Sequence, residues 1–365
     1  MRPTIMRIST ETIAANARAI RRRVPRDVRM MCVVKADAYG HDAVRTAKKL
    51  RENGADAFAV AIVEEAEALR DAGIDEMILI LGGASEGSLR QAVRCGASQA
   101  VYDGWMLDVL RDEARRTGMT AKAHIKIDTG MSRVGVRGPE ALSALLEKWK
   151  ACPEVRLEGA FTHFCVADTD LEFTALQNRR FGEALGAIRA AGFRPIAHAA
   201  ATSAMLKPEL QYDMVRPGIG LYGSCVPEMA GELQNAQTLS TYPIRLQRIS
   251  AGDTVGYGRT FTAERESTIM TLPIGYGDGY PRIVSNRASV LVKGRRAPLV
   301  GRVCMDMVMA DVTDVPGVTL EDEVVLLGRQ GSERITPDEL AELAQTIPYE
   351  IMLGFGSRIP VEVID

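Results

Sequence analysis

Little in this sequence points toward membranes, nucleic acid or metal. Histidine occurs only four times in 365 residues, at His41, His124, His163 and His198. No two of these stand at i, i+2 or i+4, so metal-ligand spacing is missing and no metal is expected. No apolar run reaches the roughly 18 residues of a spanning helix. The opening MRPTIMRIST lacks the apolar stretch of a signal peptide. The 45 basic and 47 acidic residues are well mixed, which leaves no block of one sign for nucleic acid or a membrane surface. Arg21-Arg22-Arg23, the densest basic run, falls on a helical pattern set by Ile13, Ala17 and Ile20 and reads as a solvated face. The six cysteines, Cys32, Cys95, Cys152, Cys165, Cys225 and Cys304, are scattered and form no C-x-x-C pair. Reduced thiols in a cytoplasmic protein are the expectation.

Short apolar runs and helical patterns alternate through the first two thirds of the chain. MMCVVKA, DAFAVAI, EMILILG, SQAVYDG, TAKAHIKIDTG, VRLEGAFTHF, RPIAHAA and DMVRPGIGLYG read as eight strands. Helical segments lie between them, several ended by a glycine such as Gly54, Gly73, Gly96 or Gly118. After Gly138-Pro139, the residues Leu142, Leu145, Leu146 and Trp149 mark one helix face at i, i+3, i+4 and i+7. A short helix is expected after Ser203. Repeated strand–helix units predict parallel strands with helical crossovers. Eight of them in about 200 residues predict a closed (β/α)8 barrel. The alternative, an open doubly wound sheet, normally carries G-x-G-x-x-G after its first strand; here that turn is KADAYGHD.

Beyond about Gly223 the pattern changes to strands and turns, among them APLVGRVCMDMVMADV, where Met305, Met307 and Met309 alternate as in a packed strand. The exception is TPDELAELAQ, where Thr336 caps a helix, Pro337 opens it and Glu339 is placed to complete a capping box. The expected organisation is a barrel over residues 1–234 and a mostly β domain over 235–365, with the first few residues free to pair with the latter.

Active sites of such barrels lie at the C-terminal ends of the strands. The chain places Lys35 after its first strand, with Tyr39 just beyond. The fifth strand leads to Lys126, Asp128 and Arg133, and the sixth ends at His163. The seventh strand offers His198, then Thr202 and Ser203 at a helix start, and the eighth offers Arg216, followed by Gly218 and Ile219. Ser203 and the amides at Gly218 and Ile219 are donors suited to an anion. An imine-forming lysine opposite a phosphate cradle reads as a site for pyridoxal 5′-phosphate. His124 lies inside a strand and reads as a hydrogen-bonded structural residue.

Seven segments in order, VVKADAYGH, HIKIDTGMSRVGV, THF, VRPGIGLYG, VGYGRTFTA, IGYGDGYPR and GRVCMD, resemble the signatures of the alanine racemase family, fold-type III pyridoxal-phosphate enzymes. The resemblance implies a barrel with a C-terminal β domain, pyridoxal 5′-phosphate as cofactor, a small amino acid substrate, and a head-to-tail homodimer in which each site borrows residues from the partner. It implies two catalytic bases, Lys35 and, from the other subunit, Tyr257. Tyr39, His163, Ser203, Arg216, Gly218 and Ile219 match cofactor-binding positions. Arg216 matches the arginine facing the pyridine nitrogen, where barrel decarboxylases usually carry an acidic residue. Arg133 and the backbone at Met305 match the substrate-carboxylate site. Lys126 matches a lysine often found carbamylated, and Tyr276, Arg282 and Arg302 match the substrate entrance.

Departures from the family pattern concern substrate size. Ser357, in GFGSRIP, stands where relatives can carry a tyrosine beside Tyr257. Val361 replaces the usual arginine after Ile-Pro, and the start, IMRISTETI, lacks the family's common acidic residues before the first helix. The implied function is alanine racemisation supplying D-alanine, for example to cell wall. A serine or broad-specificity racemase and a non-catalytic pyridoxal-phosphate-binding protein are the alternatives.

Overall fold

A computed structural model describes residues 3–224 and 226–365. Cys225 lies outside the described residues, so the expectation of a free thiol there concerns a position the structure does not describe. The other five cysteines are unpaired. No described helix is long and apolar enough to cross a membrane.

The first strand, β1 (Ile5–Ser9), leads through a Ser9 cap into the helix Thr10–Arg23, which buries Ile13, Ala17 and Ile20. Eight parallel strands then close a barrel: β2 (Arg29–Val33), β3 (Ala57–Val60), β4 (Met77–Ile80), β5 (Ser98–Val101), β6 (Ala121–Lys126), β7 (Val155–Phe161), β8 (Ile196–Ala201) and β9 (Met214–Arg216). Closure is made by β2 against β9, with Arg29 opposite Met214 and Met30 opposite Val215. β2 to β5 are buried almost throughout, as strands covered on both faces must be. The predicted stripe Leu142, Leu145, Leu146 and Trp149 is the buried face of the helix Pro139–Lys150. Gly118 ends its helix in the left-handed conformation at φ 69°. After Ser203 the chain forms turns, and helix appears only at Pro208–Gln211.

β1 belongs to the other half of the molecule. It pairs antiparallel with Gln237–Thr241 and parallel with Val361–Ile364, inside a sheet that also holds Val324–Gln330, Ser289–Val292 and Arg295–Pro298. A second sheet combines Arg245–Ile249, Ser267–Leu272 and Val308–Asp311. Three expectations differ from this domain. The long strand through APLVGRVCMDMVMADV is two short strands, Arg295–Pro298 and Val308–Asp311, with a loop between. Met305 and Met307 therefore stand exposed rather than packed. Thr336 caps its helix through Glu339 N–H at 3.1 Å, but no return bond forms, because Arg296 takes both Glu339 oxygens at 2.6 and 2.9 Å. A second helix, Pro348–Leu353, was not expected from so short a stretch.

Candidate active site

β2 runs into Lys35, where the chain takes an unusual path. Ala36, Asp37, Ala38 and Tyr39 all have φ between 51° and 58°. This is a left-handed turn whose first four residues are not glycine, with Gly40 at φ 78° after them, at a cost of about 1–2 kcal/mol for each non-glycine residue. Such strain persists where its surroundings over-determine it, and here they do. His41 N–H donates to Asp37 O at 2.7 Å, and Ala38 N–H to Val34 O at 2.9 Å. His41 Nδ1 lies 3.0 Å from Ala38 O and 2.9 Å from Tyr39 O, so it carries the proton. The His41 ring stacks on Tyr222, and Tyr39 packs between Tyr222 and Tyr349.

The turn sets Lys35 at the rim, half-buried, with its pKa lowered by burial and then by Arg133, against the opposing effect of Glu65. It also turns Tyr39 inward. A Cβ at Gly218 would lie 2.9 Å from the Tyr39 hydroxyl, so glycine is what lets this ring approach the loop after β9.

Arg216 is buried at the end of β9. It donates to His198 Nδ1 at 2.9 Å, to Thr162 O at 2.9 Å and to Ala199 O at 2.8 Å, and it lies 3.4 Å from His163 Nδ1. Burial pushes its pKa down to about 9, which still leaves it charged at neutral pH. His198 Nε2 in turn meets His124 Nδ1 at 2.9 Å. His124 fits in the barrel because β7 carries Gly159 opposite it, where a Cβ would lie 2.2 Å from the ring. His163 has its pKa held well below the usual histidine range by burial, then by Arg216, Lys126, Arg133 and Lys35. Lys126 is buried over the Phe161 ring at 4.9 Å, and burial, Arg216 and Arg133 all lower its pKa. Arg133 sits on the loop after β6, which is shaped by Asp128 Oδ1 accepting the N–H groups of Gly130 and Ser132, both at 3.0 Å.

The sequence offers three donors for an anion here, the Ser203 hydroxyl and the amides of Gly218 and Ile219. Gly218 N–H is already donated to Thr202 Oγ1 at 2.9 Å. Among the described residues, Ile219 N–H and the exposed Ser203 hydroxyl have no partner. With the Tyr39 hydroxyl, they form a donor set that fits a phosphate, beside a lysine of depressed pKa and a fixed guanidinium. The mouth of the barrel thus fits pyridoxal phosphate, with Gly218 contributing room rather than a hydrogen bond.

A second group lies on the β domain. Tyr257 occupies a turn between Gly256 and Gly258, both with φ above 70°. It is 72% exposed and makes no hydrogen bond or ring contact among the described residues. Gly258 packs against the Arg302 guanidinium. Tyr276 N–H donates to Cys304 O at 3.0 Å and Gly277 N–H to Met305 O at 2.8 Å, which ties the Tyr276 turn to the Met305 loop. Arg282 lies near Cys304. Ser357 is exposed, and its neighbour Arg358 reaches Asp306 at 2.8 Å and Asp278 at 3.3 Å. The structure therefore gathers Lys35, Tyr39, Lys126, Arg133, His163, Arg216 and the loop after β9 in one place, and Tyr257, Tyr276, Arg302 and Met305 in another. It does not bring Tyr257 to Lys35 within one chain. Glu65 was not among the expected site residues, and the contact of His198 with His124 was not foreseen, although His198 was placed at the rim and His124 read as structural. Only the i, i+2 spacing of His124 and Lys126 on one strand face hinted at the latter.

Family models for the N-terminal and C-terminal domains of alanine racemase match residues 8–226 and 236–363. The chain belongs to the alanine racemase family. The alanine racemase of Symbiobacterium thermophilum is 44% identical over 99% of this chain and 97% of its own length. That of Geobacter sulfurreducens is 41% identical over 98% and 96%. The alanine racemase structure from Streptomyces coelicolor superposes with a TM-score of 0.94 at 32% identity, covering 100% of this chain and 98% of that one. The Bacillus anthracis alanine racemase with bound L-Ala-P gives 0.90 at 34% identity, covering 100% and 96%. The chain is an amino acid racemase, with the closed barrel and β domain of the alanine racemases.

Proposed function

We propose that this racemase interconverts L- and D-alanine with pyridoxal 5′-phosphate on Lys35, in a homodimer whose sites are each completed by Tyr257 of the partner subunit. The observation that carries this reading is the pairing of two incomplete groups. The barrel mouth holds a half-buried lysine of lowered pKa, and the β domain holds an exposed tyrosine with no hydrogen-bond partner among the described residues.

When bound, pyridoxal phosphate makes the α-proton of an attached amino acid acidic. The chain's residues then divide the remaining work. Lys35, whose surroundings favour the neutral amine, takes or returns the proton on one face of the α-carbon. The partner's Tyr257 serves the other face. Arg216 presents a positive group that gives up no proton, which limits charge build-up on the ring nitrogen and the side reactions that follow from it. Neutral His163 extends the network from Arg216. Tyr39, Ser203 and Ile219 N–H hold the phosphate. Arg133 and the Met305 backbone of the partner subunit orient the substrate carboxylate, and Tyr276, Arg282 and Arg302 line the way in.

Lys126 fits carbamylation. Its buried amine is biased toward the neutral form, which can add to carbon dioxide with loss of a proton to solvent. The resulting anion would pair with Arg133 instead of repelling it.

A broader substrate range is the second reading, favoured by the small, exposed Ser357. The decisive experiment is racemisation across a panel of L-amino acids by the purified, cofactor-loaded protein. Alanine turning over fastest supports the proposal. Faster serine turnover would transfer it to the second reading, and no turnover of any amino acid would leave a cofactor-binding protein.

A further inference from the structure

Glu65 reaches out of the first turn of the helix Val63–Asp71 in two directions. One carboxylate oxygen accepts the N–H groups of Ala61 at 2.7 Å and Ile62 at 3.4 Å. That bond caps its own helix, a local role. The other oxygen accepts the N–H of Ala36 at 2.6 Å. Ala36 is the first residue of the left-handed turn and the immediate neighbour of Lys35. A helix cap does not require this second bond. It crosses 29 positions of sequence to reach the backbone where strain begins.

The charges around Lys35 sharpen the point. Arg133 faces it from the loop after β6 and His163 from the end of β7, with Lys126 and Arg216 behind His163. Glu65, from the helix after β3, is the anion that acts on Lys35 directly, while Asp128 offsets the cations at Lys126.

We propose that Glu65 is a positioning residue for Lys35, pinning the strained turn through Ala36 N–H and balancing the cations that surround the lysine. The proposal rests on Lys35 being the cofactor lysine and the base acting on the D-enantiomer. Glutamine at position 65 has no negative charge and one acceptor oxygen, so it cannot serve both Ala36 and the helix cap. Removing the anion disfavours the ammonium, so the lysine gives up its proton at lower pH.

The test uses the cofactor-loaded enzyme. In Glu65→Gln, the acid limb of the kcat–pH profile for D-alanine should move down by roughly half a pH unit or more. Release of cofactor, followed by loss of its visible absorbance on dilution, should become several-fold faster. Glu65→Asp, which keeps the charge, should return the acid limb toward wild type. To separate the cap from the positioning role, Glu65→Gln is repeated in an Ile62→Ser background, where the new hydroxyl caps the helix by itself. Persistence of the pH shift and of fast cofactor release in that background supports the proposal. A lowered melting temperature with unchanged acid limb and unchanged release would reduce Glu65 to a helix cap and overturn it. Lys35→Ala is the companion control. If that variant still fixes cofactor with borohydride, the reading of Lys35 itself fails; if it does not, a silent Glu65→Gln condemns only the role of Glu65.

Discussion

Arg216 donates from Nη1 to Nδ1 of His198 across 2.9 Å, inside the barrel. A guanidinium has no acceptor to offer, so His198 Nδ1 is the bare nitrogen and its proton sits on Nε2. That proton is given to Nδ1 of His124 at 2.9 Å, which places the proton of His124 on its own Nε2. One hydrogen bond from Arg216 thus sets the tautomers of two rings. Both rings are kept neutral, since burial comes first and Arg216 second among the causes lowering their pKa values.

His198→Leu should strand two buried groups, the Arg216 Nη1 donor and the His124 Nδ1 acceptor. An unsatisfied buried polar group costs about 1–3 kcal/mol. The expected loss in urea unfolding is of that size, with cofactor absorbance altered because Arg216 is no longer held on that side. Wild-type stability and absorbance together would show that the histidine pair does not fix Arg216.

Acid should destabilise the fold earlier than carboxylate protonation alone requires. The buried His41 has its pKa lowered by burial from 6.5 to about 4. Its folded pKa is depressed, so its contribution to stability is full above the unfolded value near 6.5 and is lost as pH falls toward 4. The loss attributable to this ring approaches about 3 kcal/mol by the lower end of that window. Urea unfolding at a series of pH values should show it, and His41→Asn should flatten the slope between pH 6 and pH 4.

Two dead chains should make a live dimer. Tyr257→Phe should slow proton removal from L-alanine greatly while leaving cofactor bound, and Lys35→Ala should lose the covalent cofactor. A mixed dimer pairs one doubly damaged site with one intact site. Mixing the two proteins should therefore restore activity, read as D-alanine formed after subunit exchange is proven. No recovery would mean that the site is not shared.

Ser357→Tyr should lower serine turnover more than alanine turnover. A larger group beside the proposed tyrosine base shrinks the pocket, and discrimination of one added polar group is worth about 1–3 kcal/mol. Comparison of kcat/KM for the two substrates is the measurement. Equal effects on both would place Ser357 away from the substrate side chain.

The sequence by itself determined the architecture and the rim. Apolar runs of strand length separated by striped helices, as at Leu142 to Trp149, leave a chain little choice but parallel strands with crossovers. Parallel crossovers carry every strand end to the same side, so Lys35, Lys126, His163 and Arg216 were destined to meet wherever the barrel closed. These are consequences of local periodicity and chain connectivity, which a sequence displays openly. Tertiary structure decided everything that depends on competition between distant groups. The left-handed turn at Ala36 to Tyr39 is invisible in residue types that all prefer φ below zero; it exists because His41, Tyr222 and Glu65 outbid that preference. Glu339 has the spacing of a capping box but binds Arg296, since a bidentate ion pair was within reach and the cap was not the stronger partner. β1 joined the far sheet because two strands from the chain's other end offered it both edges. In each case several local arrangements were acceptable, and long-range packing chose among them.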